Sequence, residues 1–236
     1  MLDKIYLIVI ILLLIITPLV VLYYYKKGKI KGAGEFLDLI IAGGFEQKVK
    51  DFKQLNQNVK LGGVVFVGDS ITQDYNIHEW YPNCHCYNRG IGGDTTINLL
   101  KRLDVSVYEL KPKKIVLLIG TNDLELTNDS EISIAKRVEK IIKEIHAFDD
   151  IEIFLLSVLP TNQTMDKNTV GKRSINRIMA LNKYLSEIKH VNYIDMFSKL
   201  IDENQYLKES YSIEGLHLSQ LGYQVMTDVL KPLLFD

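Results

Sequence analysis

Residues 62–73 read GGVVFVGDSITQ, and the change of character within this stretch decides the fold. The apolar run at 64–67 shows no polar alternation, which is typical of a strand that is covered on both faces. The run ends abruptly at Gly68, Asp69 and Ser70, which are residue types common in turns. We therefore predict a buried parallel strand with a serine at its carboxyl end, where ligands gather in open α/β sheets. A plain turn is the alternative.

The same succession of apolar runs and amphipathic stretches continues to the end of the chain. We predict further buried strands around 86–88 and at 115–119, 151–158 and 191–196, and helices at 45–57, 95–107, 130–148, 174–188 and 219–234. Strands that alternate with helices at this spacing predict a parallel sheet with right-handed crossovers. The expected fold is a three-layer α/β/α domain with a flavodoxin-like parallel sheet of about five strands.

Composition narrows the classes of function. The formal net charge of −1 over 236 residues lacks the basic footprint of nucleic-acid binders, so we expect no nucleic-acid partner. The two cysteines, Cys84 and Cys86, are too few for a disulfide framework. Their spacing of one residue is not the usual pattern of a metal site. We therefore expect no metal ion and no cofactor.

The N-terminal segment differs from the rest of the chain. Residues 5–25 form an uncharged apolar run of about the length that crosses a bilayer as a helix. Its three final tyrosines stand where an interfacial aromatic belt would lie. A cleaved signal peptide is the weaker alternative, because no small-residue cleavage site follows the run. We expect a transmembrane anchor at 1–25, a linker at 26–44 and a folded domain at 45–236.

The lysines after the apolar run predict its orientation. Lys26, Lys27, Lys29 and Lys31 follow the run, whereas a single lysine precedes it. The positive-inside rule counts mainly lysine and arginine, so it favours a single-pass membrane protein whose folded domain is cytoplasmic. A domain on the extracellular side is the alternative.

Four short motifs carry the residue types of one chemistry. They are GDS at 68–70, NRGIGGDTT at 88–96, GTND at 120–123 and EGLHLSQLGY at 214–223. Each is expected at the carboxyl edge of the sheet. Together they supply a hydroxyl, an imidazole, an acid and hydrogen-bond donors, which are the groups that acyl transfer requires.

In these motifs the chain resembles the SGNH, or GDSL-type, hydrolase family. The likeness is strongest to the platelet-activating-factor acetylhydrolase catalytic subunits and their bacterial relatives, and it covers roughly residues 61–230. All four motifs stand in the family's order. The resemblance implies a carboxylic-ester hydrolase of three-layer α/β/α fold that works without a metal ion or a cofactor.

The resemblance also assigns roles by position. It implies that Ser70 is the nucleophile and that His217 takes the proton of Ser70 and later returns it. The oxyanion donors would be the backbone N–H groups of Ser70 and Gly93 and the side-chain amide of Asn122. Gly93 suits this role because the absence of a Cβ lets a substrate approach its backbone.

One position departs from the family's pattern. The family's triad acid is an aspartate three residues before the histidine, and this chain has Glu214 there. We expect Glu214 to orient His217 in spite of its extra methylene. The alternatives are a backbone carbonyl, Asp195 or Asp202.

The resemblance implies a membrane-anchored serine esterase that acts through an acyl-serine intermediate. Its expected substrates are short-chain esters, acetyl esters above all, of a lipid or a carbohydrate. One alternative is an O-acyltransferase that uses the same site. Another is a membrane-tethered binding protein with a degenerate site, for which Glu214 is the sole support. The expected partners are the small ester substrate and, through the N-terminal helix, the membrane.

Overall fold

The computed structural model of the protein describes the backbone of residues 2–235 and the side chains of residues 14–29, 32 and 43–235. By its contacts the chain divides into two compact units, Met1–Gly44 and Phe45–Asp236. Helix α1, Leu2–Leu55, runs through the segment 26–44 that we predict as a linker. The domain limits drawn from the sequence stay a prediction.

Five strands form one parallel sheet in the order β2-β1-β3-β4-β5. The strands are β1 Val64–Gly68, β2 Cys86–Gly90, β3 Lys114–Leu118, β4 Glu152–Leu156 and β5 Asn192–Ile194. This is the flavodoxin-like order, in which the direction of winding switches between β1 and β3. Ligands of such sheets bind outside the carboxyl ends of the strands at this switch point.

Helices and short turns connect the strands. The helices after α1 are α2 Ser70–Gln73, α3 Ile77–Trp80, α4 Thr96–Leu99, α5 Leu103–Ser106, α6 Asp123–Leu126, α7 Glu131–Phe148, α8 Lys167–Val170, α9 Ile175–Ser186, α10 Phe197–Leu200 and α11 Gln220–Phe235. Turns of 3₁₀ helix lie at Asn56–Asn58, Tyr108–Leu110 and Glu209–Tyr211. The single helix predicted at 95–107 is in fact α4 and α5, because the backbone leaves helical geometry at Arg102.

Two hydrophobic layers cover the sheet, because successive side chains of a strand point to opposite faces. On one face, Val65 and Ile115 belong to a buried cluster that includes the apolar sides of α7 and α9. On the other face, Phe66 and Val116 pack into a cluster formed with α2, α3 and α11. The predicted three-layer α/β/α architecture with five parallel strands is confirmed.

Helix α7 shows how the sequence builds one of these layers. Ser130 caps it by accepting a hydrogen bond from the backbone N–H of Ser133. Its apolar residues recur at helical spacing and are buried, namely Ile134, Val138, Ile141, Ile142 and Ile145. The polar residues between them face outward, so that the helix lies with one side on the sheet.

The structure corrects the prediction of a membrane anchor. In the part of the chain that the structure describes, no helix combines the length and the apolar character needed to span a bilayer. The side chains of residues 5–13 of the apolar run lie outside the described residues. The prediction of a single-pass membrane protein with a cytoplasmic domain is therefore wrong for the described residues.

The two cysteines form a disulfide, Cys84–Cys86, across the single residue between them. The sequence did not predict this bond, because two cysteines are too few to indicate a disulfide framework. It leaves neither thiolate free to ligate a metal. Among the described residues, no group of three or more His, Cys, Asp or Glu side chains is placed to hold a metal ion.

Candidate active site

The serine of the GDS motif lies at the first residue of α2, directly after β1. Asp69 caps this helix, since its Oδ1 accepts a hydrogen bond of 3.0 Å from the N–H of Ile71. The other carboxylate oxygen of Asp69 is buried without a hydrogen-bond partner. The side chain of Ser70 is thereby presented at the carboxyl edge of the sheet, as the sequence predicts.

The histidine of the last motif meets this serine. Ser70 Oγ lies 2.9 Å from His217 Nε2, although 147 residues separate them in the chain. The Nδ1 atom of His217 is hydrogen-bonded to Glu214 Oε1. A carboxylate only accepts, so this contact assigns the proton to Nδ1 and leaves the Nε2 lone pair for the hydroxyl of Ser70. The three side chains form one continuous hydrogen-bonded chain.

Glu214 reaches His217 at two points. Its Oε1 also accepts a hydrogen bond of 3.2 Å from the backbone N–H of His217. The alternative acids are occupied elsewhere: Asp195 accepts from Ser198, and Asp202 accepts from the N–H groups of Asn204 and Tyr206. Of the carboxylates considered from the sequence, the structure brings Glu214 to the histidine.

The loop that carries Glu214 and His217 is fixed to its neighbours. The N–H of Ile213 donates to the carbonyl of His217 at 3.0 Å, which closes a tight turn around the two side chains. Gly215 accepts a hydrogen bond of 2.7 Å from the N–H of Asn162, at the end of the chain segment that follows β4. The relative position of acid and base is thus set by backbone bonds as well as by their own contact.

The expected oxyanion donors border the serine. A Cβ built on Gly92 would stand 4.0 Å from the Cβ of Ser70, so the loop of the second motif lies against Ser70. Gly93 follows with φ of 76°, a left-handed conformation that glycine adopts readily. Within the described residues, the backbone N–H groups of Ser70 and Gly93 have no acceptor and are free to bind a substrate oxygen.

The amide of the GTND motif is tied to the same loop. Asn122 Nδ2 donates to the carbonyl of Asp94 at 3.0 Å, and the side chain is buried. Asp123, its neighbour, accepts from the N–H of Thr96 at 2.9 Å and so caps α4 from a different motif. The second and third motifs therefore hold each other in place beside Ser70.

A buried ion pair lies beneath these loops. Arg102 Nη2 is 2.6 Å from Asp94 Oδ2, and both side chains are almost fully buried. Arg102 also donates to the carbonyls of Gly68 at 3.0 Å and Arg89 at 2.9 Å. One guanidinium thus joins the ends of β1 and β2, the two strands that lead to Ser70 and Gly93. The sequence reasoning missed Arg102, since its position next to Lys101 reads as a solvated helix face.

Burial perturbs the acids at this edge of the sheet. It raises the pKa of the Asp69 carboxyl to about 7, and the charge of Asp94 acts in the same direction. Burial also raises the pKa of Asp94 to about 6, although Arg102 opposes the shift. The raised pKa favours the neutral form of Asp69 and so reduces the negative charge at this edge of the sheet.

The amino-acid sequence of the chain is similar to those of known proteins. The sequence profile of the GDSL-like Lipase/Acylhydrolase family matches residues 66–225, a stretch that holds all four motifs. Platelet-activating factor acetylhydrolase IB subunit alpha2 of Rattus norvegicus is 30% identical over 176 residues, which are 72% of this chain and 73% of that protein. The alpha1 subunit of the same organism is 26% identical over 72% of this chain and 74% of that protein.

Solved structures agree. A Streptococcus pneumonia protein named for platelet activating factor has a TM-score of 0.79 and 32% sequence identity, over 86% of this chain and 98% of that chain. A GDSL-like lipase from Bacteroides thetaiotaomicron has a TM-score of 0.71 and 24% identity, over 79% of this chain and 96% of that chain, which shows a likeness of fold. The resemblance inferred from the four motifs is confirmed.

Proposed function

The chain belongs to the GDSL-like lipase/acylhydrolase family and is a carboxylic-ester hydrolase, and from this premise we propose that Ser70 is its nucleophile, His217 its general base and Glu214 the acid that orients His217. The observation that carries the proposal is the 2.9 Å contact between Ser70 Oγ and His217 Nε2. It lies within the hydrogen-bond reach that proton transfer from nucleophile to base requires.

The first half of the reaction forms an acyl-enzyme. Ser70 Oγ adds to the carbonyl carbon of the ester while its proton passes to His217 Nε2. Glu214 holds the imidazole in the required tautomer and stabilises its positive charge. The tetrahedral intermediate then collapses: the bond from the carbonyl carbon to the alcohol oxygen breaks, and His217 gives the proton to the departing alcohol.

The second half restores the enzyme. A water molecule gives a proton to His217 as its oxygen adds to the acyl carbon. The second tetrahedral intermediate releases the carboxylic acid, and the proton returns from His217 to Ser70 Oγ. In both halves the developing oxyanion would accept hydrogen bonds from the N–H groups of Ser70 and Gly93 and from the amide of Asn122. Such a donor is worth about 10²–10³ in turnover.

For the substrate we propose a short-chain ester, with acetyl preferred, of a lipid or a carbohydrate alcohol. The support is the similarity to two relatives whose names describe acetylhydrolases, one of them 30% identical to this chain. The His217 and Glu214 side chains retain 30% and 25% of their exposure, so the alcohol part of an ester has room to extend toward solvent.

The test uses p-nitrophenyl esters of two, four and eight carbons with the purified full chain. We expect kcat/KM to be highest for the two-carbon ester. Ser70→Ala should abolish turnover of all three, while Ser186→Ala, an exposed serine on α9, should match the wild type. Turnover that survives in Ser70→Ala would refute the nucleophile, and a preference for the eight-carbon ester would refute the short-chain substrate.

A further inference from the structure

The side-chain amide of Asn122 is anchored at both of its ends. Its Nδ2 donates to the carbonyl of Asp94 at 3.0 Å, and its Oδ1 accepts from Arg173 Nη2, also at 3.0 Å. An amide nitrogen carries two N–H groups, and within the described residues the second of these has no acceptor. The two anchors fix the plane of the amide and leave one N–H for a ligand.

Arg173 reaches this amide from the far end of the segment between β4 and α9. Its side chain is buried, with 6% of the residue exposed. Nε donates to the carbonyl of Thr121 at 3.0 Å, and Nη1 donates to those of Thr169 and Val170 at 3.1 and 3.2 Å. The guanidinium is therefore held from three sides before it meets Asn122.

The chemistry of the guanidinium admits one orientation of the amide. Arginine is a donor at every nitrogen and accepts nothing. If the amide of Asn122 were flipped, its NH₂ group would face the N–H groups of Arg173, and both sides would lose a buried hydrogen bond. A buried donor left without an acceptor costs about 1–3 kcal/mol. The correct orientation is thus set by Arg173 and does not depend on a bound substrate.

We propose that Arg173 is a positioning residue that orients the amide of Asn122 toward the oxyanion of the substrate, an inference that rests on the proposed function. Because the guanidinium is positively charged and lies one hydrogen bond away, it also polarises the amide, so that the free N–H is a stronger donor. Preorganised donors of this kind act without rearrangement when charge develops.

A purely structural role is the rival explanation. Arg173 bonds three backbone carbonyls besides Asn122, and its Nη1 lies 4.0 Å from the carboxylate of Glu125. On this explanation, the loss of Arg173 loosens the segment 161–173 as a whole. The two roles differ in one respect: a residue that acts through Asn122 has nothing left to position once Asn122 is an alanine.

The experiment is a double-mutant cycle of Arg173→Met and Asn122→Ala, measured as kcat and KM on p-nitrophenyl acetate. Alone, Arg173→Met should lower kcat about tenfold or more, with KM changed less than about twofold, because the donor acts in the transition state. In the Asn122→Ala background it should lower kcat no further. The pH dependence of kcat/KM should keep its acidic limb, since the base is untouched.

Arg177→Met is the matched control. Arg177 lies on α9, four residues after Arg173 in the chain, and donates to the carbonyl of Leu124 and to Glu131, so it braces the same region without contacting Asn122. Its removal should leave kcat unchanged. If Arg173→Met does not fold, Arg173→Lys is measured in its place. Lysine keeps the positive charge but lacks the planar set of donors of the guanidinium, so we expect an intermediate fall in kcat.

Two results would overturn the inference: an unchanged kcat in the single variant, or the same fold-loss in both backgrounds. If the wild type turned over no ester, the proposed function would fail, and a second measurement would still decide the role of Arg173. Hydrogen exchange of the Asn122 side-chain amide, followed by NMR, should be faster in Arg173→Met than in the wild type and in Arg177→Met. Equal exchange rates in all three would refute the positioning role.

Discussion

Glu214 takes the place that the family gives to an aspartate, and its longer side chain still meets the histidine. One carboxylate oxygen contacts both Nδ1 and the backbone N–H of His217, which places the carboxylate on the inside of its own turn. In this turn the extra methylene does not push the acid beyond reach. The degenerate-site alternative, which depended on Glu214, therefore has no geometric support.

Replacement of this carboxylate should lower turnover without unfolding the protein. Glu214→Gln keeps the size and removes the charge, and we expect kcat to fall by about 10³–10⁴, because an amide at this position favours the wrong tautomer of the histidine. Glu214→Asp should retain more activity than Glu214→Gln. The measurement is kcat on p-nitrophenyl acetate.

Glu203→Gln, on an exposed turn, is the control for the loss of one carboxylate. It should leave kcat at the wild-type value. A Glu214→Gln enzyme with wild-type kcat would remove Glu214 from the triad.

The turn that joins acid and base depends on a glycine. Gly215 has φ of 92°, and a Cβ at this position would stand 2.2 Å from the carbonyl oxygen of Asn162. A side chain here would adopt an unfavourable backbone conformation. It would also clash with the backbone of Asn162, which could move away only at an energetic cost. The turn between Ile213 and His217 is thus specified by the absence of a side chain.

Gly215→Ala should lower the free energy of unfolding and reduce activity. Left-handed strain alone costs about 1–2 kcal/mol, and the contact with Asn162 adds to it. Gly62→Ala separates the two effects, because Gly62 has φ of 84° with no atom closer than 3.9 Å to the added Cβ. Urea denaturation should show the larger loss for Gly215→Ala, and kcat should fall in that variant only. Equal losses in both would show that the contact is unimportant.

The elements of the sheet were predictable because each signal was local. The apolar run VVFV predicts that β1 is buried, and Gly68 and Ser70 after it predict the turn at its end. The helix expected at 95–107 was divided for a reason that the sequence does not display: Arg102 leaves the helix and turns inward to Asp94. Pairs of this kind join residues whose partners are known only once the chain has folded.

The contacts that hold the site are mostly of this non-local kind. Arg173 stands in the polar stretch GKRSIN, which reads as an exposed loop, yet its side chain is buried against Asn122. The four motifs predicted the groups that we propose to react, because the chemistry of acyl transfer restricts them to a few residue types. The sequence analysis did not predict the residues that position these groups. Any hydrogen-bond donor of suitable length can do so, and such donors belong to no recognisable motif.

The molecule as a whole responds to pH through its buried carboxyls. The pKa of Asp69 is about 7 in the folded protein, against an ordinary value of 3.8 for an exposed aspartate, so between these values the native state holds a proton that the unfolded chain has lost. This group therefore favours the folded state more strongly as pH falls from 7 toward 4, and its contribution is lost as pH rises through 7.

Asp69→Asn removes this dependence. The asparagine keeps the oxygen that accepts from Ile71 and has no charge to bury. In urea denaturation at pH 8 we expect the variant to be more stable than the wild type, with a difference that shrinks steadily toward pH 4. Carboxyls that do not interact with Asp69 titrate equally in both proteins and cancel, so the difference reports Asp69 together with its coupling to Asp94. A difference that grows as pH falls would contradict the raised pKa.

The central claim is that Ser70 forms a covalent acyl intermediate with the help of His217. Its most direct test is intact-protein mass spectrometry after reaction with a fluorophosphonate, followed by peptide mapping. We predict one adduct per chain, located on Ser70, and its absence in both Ser70→Ala and His217→Ala under the same conditions. An enzyme that hydrolyses esters while Ser70 stays unmodified, or an adduct on another residue that abolishes activity, would contradict the account.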